Sequence, residues 1–396
     1  MSSTQRRLVV VTIAIILTAF IMRSPIVAMA PVIGQVRSDL GISATVAGLL
    51  TSIPVLCFAV ATPFAVWVVR RGGTTFAVTL CLVGTTAGWI LRSSGGIETA
   101  ILGTVLIGVF ITIGNVVVPV VIRREYSVER AGFMTGVYVS ALNVGSMAVT
   151  IGTAPLEPAW GWRGAVLVWA VLGVAALAVW FGLHGWRATI SPREAASTIR
   201  PDGHVPPRLF RSLTVWFLAI AFSGQAFSYY GVTAWLPQLL AEEQDYSATQ
   251  SGAISSIFQI SAIIGAIGAP LIARRFSNTA SIATIGALWL TVPLGFLLAP
   301  DLWALWCVLG GAAQGGGITI VLITTVSISQ DDRHASAMNG LVQGAGYSIA
   351  ALSPTLIGAL RDVSGAWTAP LLAILVATLA FGVFGTWAAV RARARV

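Results

Sequence analysis

Long uncharged apolar stretches, separated by short polar or glycine-rich intervals, recur along all 396 residues. The first, LVVVTIAIILTAFIM from Leu8 to Met22, carries no charge at all. A helix crossing a bilayer needs about 20 predominantly apolar residues. Stretches of that kind fall at 8–33, 44–69, 75–92, 98–122, 132–154, 164–186, 212–238, 248–273, 280–299, 302–327, 335–359 and 367–390. The pattern predicts an all-α integral membrane protein with twelve spans. One residue breaks it early: Arg23, in AFIMRSPIVAMAP (19–31), stands in the middle of the first span.

Composition narrows the class further. The chain is 56% hydrophobic and 9% charged, whereas a soluble chain carries roughly 25% charged residues. The net charge of +9 is arginine alone, because the sequence contains no lysine. Those arginines are not clustered as a nucleic-acid face requires. They follow the topology instead: Arg6, Arg7, Arg70, Arg71, Arg123, Arg124, Arg130, Arg274, Arg275, Arg333, Arg391, Arg393, Arg395 and the 187–211 segment fall on one side. Arg37, Arg92, Arg163 and Arg361 fall on the other, with Glu242, Glu243, Asp245 and Asp301. The positive-inside rule makes the richer side, and both termini, cytoplasmic.

The sequence carries an internal duplication. SATVAGLL (43–50) and SATQSGAI (247–254) are offset by 204 residues, and Arg70-Arg71 meets Arg274-Arg275 at that offset. It persists through RAGFMTG and HASAMNG, and through Gly161 and Gly365. The chain therefore reads as two six-helix bundles, 1–186 and 212–396, joined by a polar cytoplasmic linker at 187–211. Arg6-Arg7, the apolar run and Ala28-Met29-Ala30 imitate a cleavable signal peptide. Removing them would delete the partner of the 212–238 span, so the first span is expected to stay.

Placed on these spans, R23-S-P with Pro31, GNVVVP (114–119), GVY (136–138), GWR (161–163), SYYGVTAWLP (228–237), QGG (314–316) and QGAGYSIAALSP (343–354) form a pattern. It resembles the cyanate permease and nitroimidazole transporter branch of the major facilitator superfamily. The resemblance runs from the first span to the twelfth. It implies an inner-membrane carrier of a small solute, with two parallel halves related by a pseudo-two-fold axis, a midplane site and rocker-switch alternating access. One departure from the broader superfamily is the loop between spans two and three, which there usually carries an acidic residue in a glycine-rich basic motif and here reads VVRRGGTT, without one.

The polar residues inside the spans indicate the solute. An arginine deep in a span is costly and usually faces a cavity. All fourteen Asp and Glu residues fall in loops or at span ends. A guanidinium presents a fork suited to an anion or to a ligand with two acceptors, so Arg23 is expected to bind a small anionic solute. At matching depth in the second half stand Gln225, Tyr229 and Tyr230, where offset 206 sets Tyr229 against Arg23. Asn115, Gln314, Gln343 and Tyr347 are further candidate solute contacts, and offset 204 maps Tyr347 onto Asn143, which also fits plain interhelical bonding. Arg70, Arg71, Arg274 and Arg275 with Glu125, Glu129, Asp331 and Asp332 make a candidate inner gate.

Other chemistries are not written in the spans. Cys57, Cys81 and Cys307 have no paired spacing, and His184, His204 and His334 avoid the span centres. No enzyme activity, metal or cofactor is expected, and the partners are the solute and the bilayer, around a monomer. Without a midplane carboxylate, uniport, exchange or proton movement on the solute is expected rather than a carboxylate relay. The other activity the resemblance implies is export of neutral heterocycles such as nitroimidazoles.

Overall fold

A computed structural model describes residues 3–191, 211–329 and 332–393, and no strand occurs among them. Most of the expected linker, together with Asp331 and the side chains of Glu129 and Asp332, lies outside the described residues. The helices are α1 (Ser3–Val27), α2 (Ile33–Leu40), α3 (Ala44–Val60), α4 (Thr62–Arg92), α5 (Ile97–Glu125), α6 (Val128–Leu167), α7 (Ala170–His184) and α8 (Trp186–Ile190). After the undescribed segment come α9 (Leu213–Glu243), α10 (Ala248–Ile260), α11 (Ala262–Arg275), α12 (Asn278–Leu298), α13 (Trp303–Ser327), α14 (Asp332–Ala350), α15 (Ser353–Ser364) and α16 (Thr368–Arg393).

These helices make twelve crossings, because glycine and proline break the chain where the polar intervals lie. Gly73, at φ 78°, divides the second crossing from the third inside α4. Gly161, at φ 63°, does the same between the fifth and sixth inside α6. By length and composition, eight stretches can cross a bilayer, and one of them, Phe133–His184, is long enough for two crossings. The other three crossings are α3 with the start of α4, α9, and α14 with α15. Helix α9 has the length but carries Ser223, Gln225, Ser228, Tyr229 and Tyr230 in its middle, which makes it less apolar than its neighbours. The first crossing also runs further than expected. Proline has no N–H to donate to the turn before it, and α1 stops two residues after Pro25, followed by a 3₁₀ turn (Ala30–Val32) and α2.

Packing divides the chain into two units, Met1–Leu40 with Leu56–Arg200, and Gly41–Val55 with Pro201–Val396. Within the first, α1 packs on α6 and α7, and α4 on α5; within the second, α9 packs on α14 and α16, and α12 on α13. Backbone conformation follows the 204-residue duplication. Gly41 and Asp245 have φ of 62° and 53°, and Gly161 and Gly365 have φ of 63° and 66°. Ser43 and Ser247 each accept from the backbone N–H three residues on, at 3.3 and 3.2 Å. Only glycine and a few short polar residues tolerate positive φ cheaply, so these turns mark both repeats.

Each unit also closes its first crossing with a carboxylate. Asp39 Oδ2 accepts from Trp162 Nε1 at 3.0 Å and Arg163 Nη1 at 2.6 Å, while Arg163 also donates to the Gly95 carbonyl. Glu242 Oε2 accepts from Trp367 Nε1 at 2.8 Å and from Arg361 Nη2 at 2.7 Å. GWR is thus a clasp motif. In the second unit the arginine comes from α15, ahead of the tryptophan instead of behind it.

Candidate functional site

Arg23 sits in α1 among Ile21, Met22, Ser24 and Ile26, all buried, and is itself half-buried. Its Nη1 donates to Asn143 Oδ1 on α6 at 3.3 Å. Asn143 is 5% exposed, and its Nδ2 donates to the Val139 carbonyl oxygen at 3.1 Å, which fixes its oxygen toward the guanidinium. The helices come close because Gly145 lies against the Phe20 backbone. One turn earlier on α6, buried Tyr138 lays its hydroxyl 3.8 Å from Met22 Sδ. The bond is to a neutral amide. At 3.3 Å it is longer than the usual 2.9–3.0 Å N–H···O bond.

The second unit assembles a different surface. Gln225 Nε2 donates to the Gln314 backbone carbonyl at 3.0 Å, joining two of the expected positions by a side chain to main chain tether between α9 and α13. Gly317 leaves room for it, since a Cβ there would stand 2.7 Å from Gln225 Cγ. Gln314 is buried, and its Nε2 has no hydrogen-bond partner among the described residues. Tyr229 and Tyr230 are 5% and 8% exposed and meet edge to face at 4.8 Å. The Tyr229 ring stacks on Phe258 at 6.4 Å, and Phe258 meets Trp289 at 6.1 Å. Tyr347, half-buried, meets Phe222 edge to face at 5.2 Å, and Gln343 one turn away is also half-buried.

The remaining expected positions lie apart. Asn115 is exposed on α5, which continues through Pro119 without a break. Of the gate candidates, Glu125 pairs with Arg7 at 2.8 Å and approaches Arg124 Nε at 3.7 Å. Arg124 also donates to Thr74 Oγ1 at 2.9 Å. Arg70, Arg71, Arg274 and Arg275 are exposed, and Arg275 lies over the Phe276 ring. Arg92, counted above among the charges of the far side, is instead completely buried. No cluster of His, Cys, Asp and Glu among the described residues can hold a metal ion.

The family model of the Major Facilitator Superfamily matches residues 11–354. The chain belongs to that superfamily. This facilitator is 31% identical over 376 residues to an uncharacterized transporter, YycB, of Bacillus subtilis, covering 94% of this chain and 91% of the relative. It is 30% identical over 390 residues to the 2-nitroimidazole transporter of Escherichia coli, covering 95% and 94%. It is 26% identical over 356 residues to the cyanate transport protein CynX of Escherichia coli, covering 89% and 90%. Among solved structures, an inward-facing, occupied bacterial homolog of the human lysosomal transporter Spinster aligns with a TM-score of 0.74 at 16% identity, over 100% of this chain and 98% of that one. A D-xylose-proton symporter aligns at 0.73 and 12%, over 97% of each. These two likenesses carry the fold alone. The facilitator is a multi-pass membrane transporter of small solutes, and its named relatives are transporters, not enzymes.

Proposed function

We propose that this facilitator carries a small planar anion across the cytoplasmic membrane by alternating access, with Arg23 as the group that binds it. The observation behind this reading is a half-buried guanidinium deep in the first crossing, held by the neutral Asn143 amide rather than sunk into the packing. A charge in that position usually serves a cavity. Among the described carboxylates, Asp39, Glu98, Glu125, Glu242, Glu243 and Asp362 stand at helix ends, Asp245 and Asp301 in turns, and Glu157 in α6 just before its Gly161 break. Tyr229, Tyr230, Gln314, Gln343, Tyr347 and Asn115 are proposed as neutral solute contacts, and Gln225 as the tether that sets Gln314. Both termini are proposed to be cytoplasmic, and the chain to work as a monomer.

The relatives' named solutes share one chemistry. Cyanate is a linear anion. The nitro group of a 2-nitroimidazole withdraws electrons and acidifies the ring N–H, so that solute also presents a flat anion. A second reading, transport of the neutral heterocycle, is favoured by the aromatic run Tyr230, Tyr229, Phe258 and Trp289. N-methylation separates the two readings. Binding of cyanate, 2-nitroimidazole and its N-methyl derivative is measured on the purified full chain by thermal shift and calorimetry. The anion reading expects the first two to bind and the N-methyl compound, which has no proton to lose, to bind poorly. Equal affinity for the methylated and unmethylated rings, with no cyanate binding, would leave the neutral reading in its place.

A further inference from the structure

Arg92 ends α4 and has 0% exposure. Its burial follows from small residues: α4 and α5 meet backbone to backbone at Gly88 and Gly103, where any side chain on Gly103 would collide with the Gly88 carbonyl and the Arg92 main chain. Its Nη1 donates to the Pro25 carbonyl oxygen at 2.6 Å, and its Cζ lies 5.9 Å from the Trp89 ring centroid. Its Nε and Nη2 have no hydrogen-bond partner among the described residues, and neither has the buried hydroxyl of Ser24 beside Pro25.

A guanidinium has five N–H donors and keeps its charge. Removing it from water is expensive unless it is paired. Here a neutral carbonyl meets one donor and cancels none of the charge. The negative end of the α1 dipole compensates in part, since Pro25 lies in the last turn of that helix. The carbonyl is reached only by the far end of the side chain, so no shorter neutral amide on this backbone would take the place of Nη1. Beyond that reach the arginine adds a charge, held from α4 against the carbonyl of Pro25, two residues along α1 from Arg23.

We infer that Arg92 is a second, permanently buried cation serving the Arg23 site, a positioning residue that sets its preference for anions without touching the solute. It anchors the end of α1 through Pro25, and its field reaches the solute through protein, where salt screens it far less than it screens an exposed arginine. The field acts on a charged solute and passes over a neutral one. This inference rests on the anion reading above.

The test compares wild type, Arg92→Lys and Arg92→Gln, full-length and in nanodiscs. Dissociation constants are measured for cyanate and for the neutral N-methyl-2-nitroimidazole, and melting temperatures alongside. Glutamine loses the charge and, being shorter, the bond to Pro25; lysine is the substitution that keeps the charge and most of the reach. Arg92→Gln is expected to weaken cyanate binding about tenfold, as a charge some way off through protein would, and to leave the weak binding of the neutral ring unchanged. Arg92→Lys is expected to restore cyanate binding. Should Arg92→Gln not fold, Arg92→Lys carries the test: a buried lysine sheds its proton as pH rises, so its cyanate affinity must fall at alkaline pH while the wild type's holds. Wild type that binds cyanate, with Arg92→Gln binding it equally well, overturns the inference and leaves the anion reading standing. Equal loss of both solutes, no rescue by lysine, or a lysine variant that ignores pH also overturns it. Wild type that binds no anion removes the anion reading, and this inference with it.

Discussion

Glu242 offers a quantitative test of the clasp that closes α9. Its Oε2 receives Arg361 Nε at 3.0 Å, Arg361 Nη2 at 2.7 Å and Trp367 Nε1 at 2.8 Å, while Gln238 donates to Oε1. Trp367 is 4% exposed, whereas the Arg361 and Glu242 side chains are 24% and 32% exposed. Glu242→Ala leaves the buried indole N–H without an acceptor, at a cost of about 1–3 kcal/mol. The part-exposed ion pair adds up to about 1 kcal/mol. A total of about 2 kcal/mol lowers the melting temperature by about 4–8 °C in a unit of roughly 150–250 residues. Glu242→Gln keeps an oxygen for Trp367 and loses only the pair, so about 2–4 °C is expected. The pH dependence has a sign. Burial raises the Glu242 carboxyl, but the bonds from Gln238, Arg361 and Trp367 outweigh it and hold it below its ordinary range. Its contribution is therefore present at neutral pH and lost as pH falls through that lowered value. Melting is followed by tryptophan fluorescence in detergent from pH 7 to pH 3. Wild type must lose its advantage over Glu242→Gln on acidification. Alanine and glutamine variants melting together, or an advantage that persists in acid, would refute this account of the clasp.

Other perturbations reach other levels of the account. Gly161 has φ 63° and ψ 170°, a region essentially reserved for glycine, while Gly365 has φ 66° and ψ 4°, which other residues enter at about 1 kcal/mol. Gly161→Ala should therefore melt lower than Gly365→Ala; the reverse order would contradict the backbone reading. Gly103→Val forces a side chain into the Gly88 and Arg92 main chain, and overpacking of this kind costs about 1–3 kcal/mol or more. Loss of monodisperse protein on size exclusion is expected, and a native elution profile would be inconsistent with the backbone contact. Asn143→Leu removes the amide that accepts from Arg23; a raised KM for cyanate uptake with a smaller change in kcat is expected, and unchanged kinetics would take Asn143 out of the site.

The fold was largely readable because lipid permits few alternatives. Every backbone group must be satisfied within the membrane, so apolar runs of spanning length become helices. The 204-residue offset then carried through to backbone angles at Gly41, Asp245, Gly161 and Gly365. Features that depend on which side chains meet across helices were hidden. Asp362 accepts from the Ala44 and Thr45 N–H groups, a helix cap supplied from 318 and 317 residues away. Arg92 looked like a charge at a helix end, because the Gly88 and Gly103 contact that buries it lies on a second helix. Asn143 fitted packing as well as chemistry, and its bond to Arg23 across α1 and α6 was not legible in the spacing. Gln225 and Tyr229 share a helical face by spacing, yet the Gln225 amide is taken by the Gln314 main chain.

Arg23 is proposed above to bind the anion that the protein carries. Counterflow of labelled cyanate into proteoliposomes, with equal amounts of wild type, Arg23→Lys and Arg23→Gln inserted, tests it most directly. The account predicts saturable uptake by wild type, strong impairment in Arg23→Lys, which keeps charge but loses the fork, and none in Arg23→Gln at an unchanged melting temperature. Native-rate uptake by either variant, or transport of N-methyl-2-nitroimidazole with no cyanate flux in wild type, would contradict it.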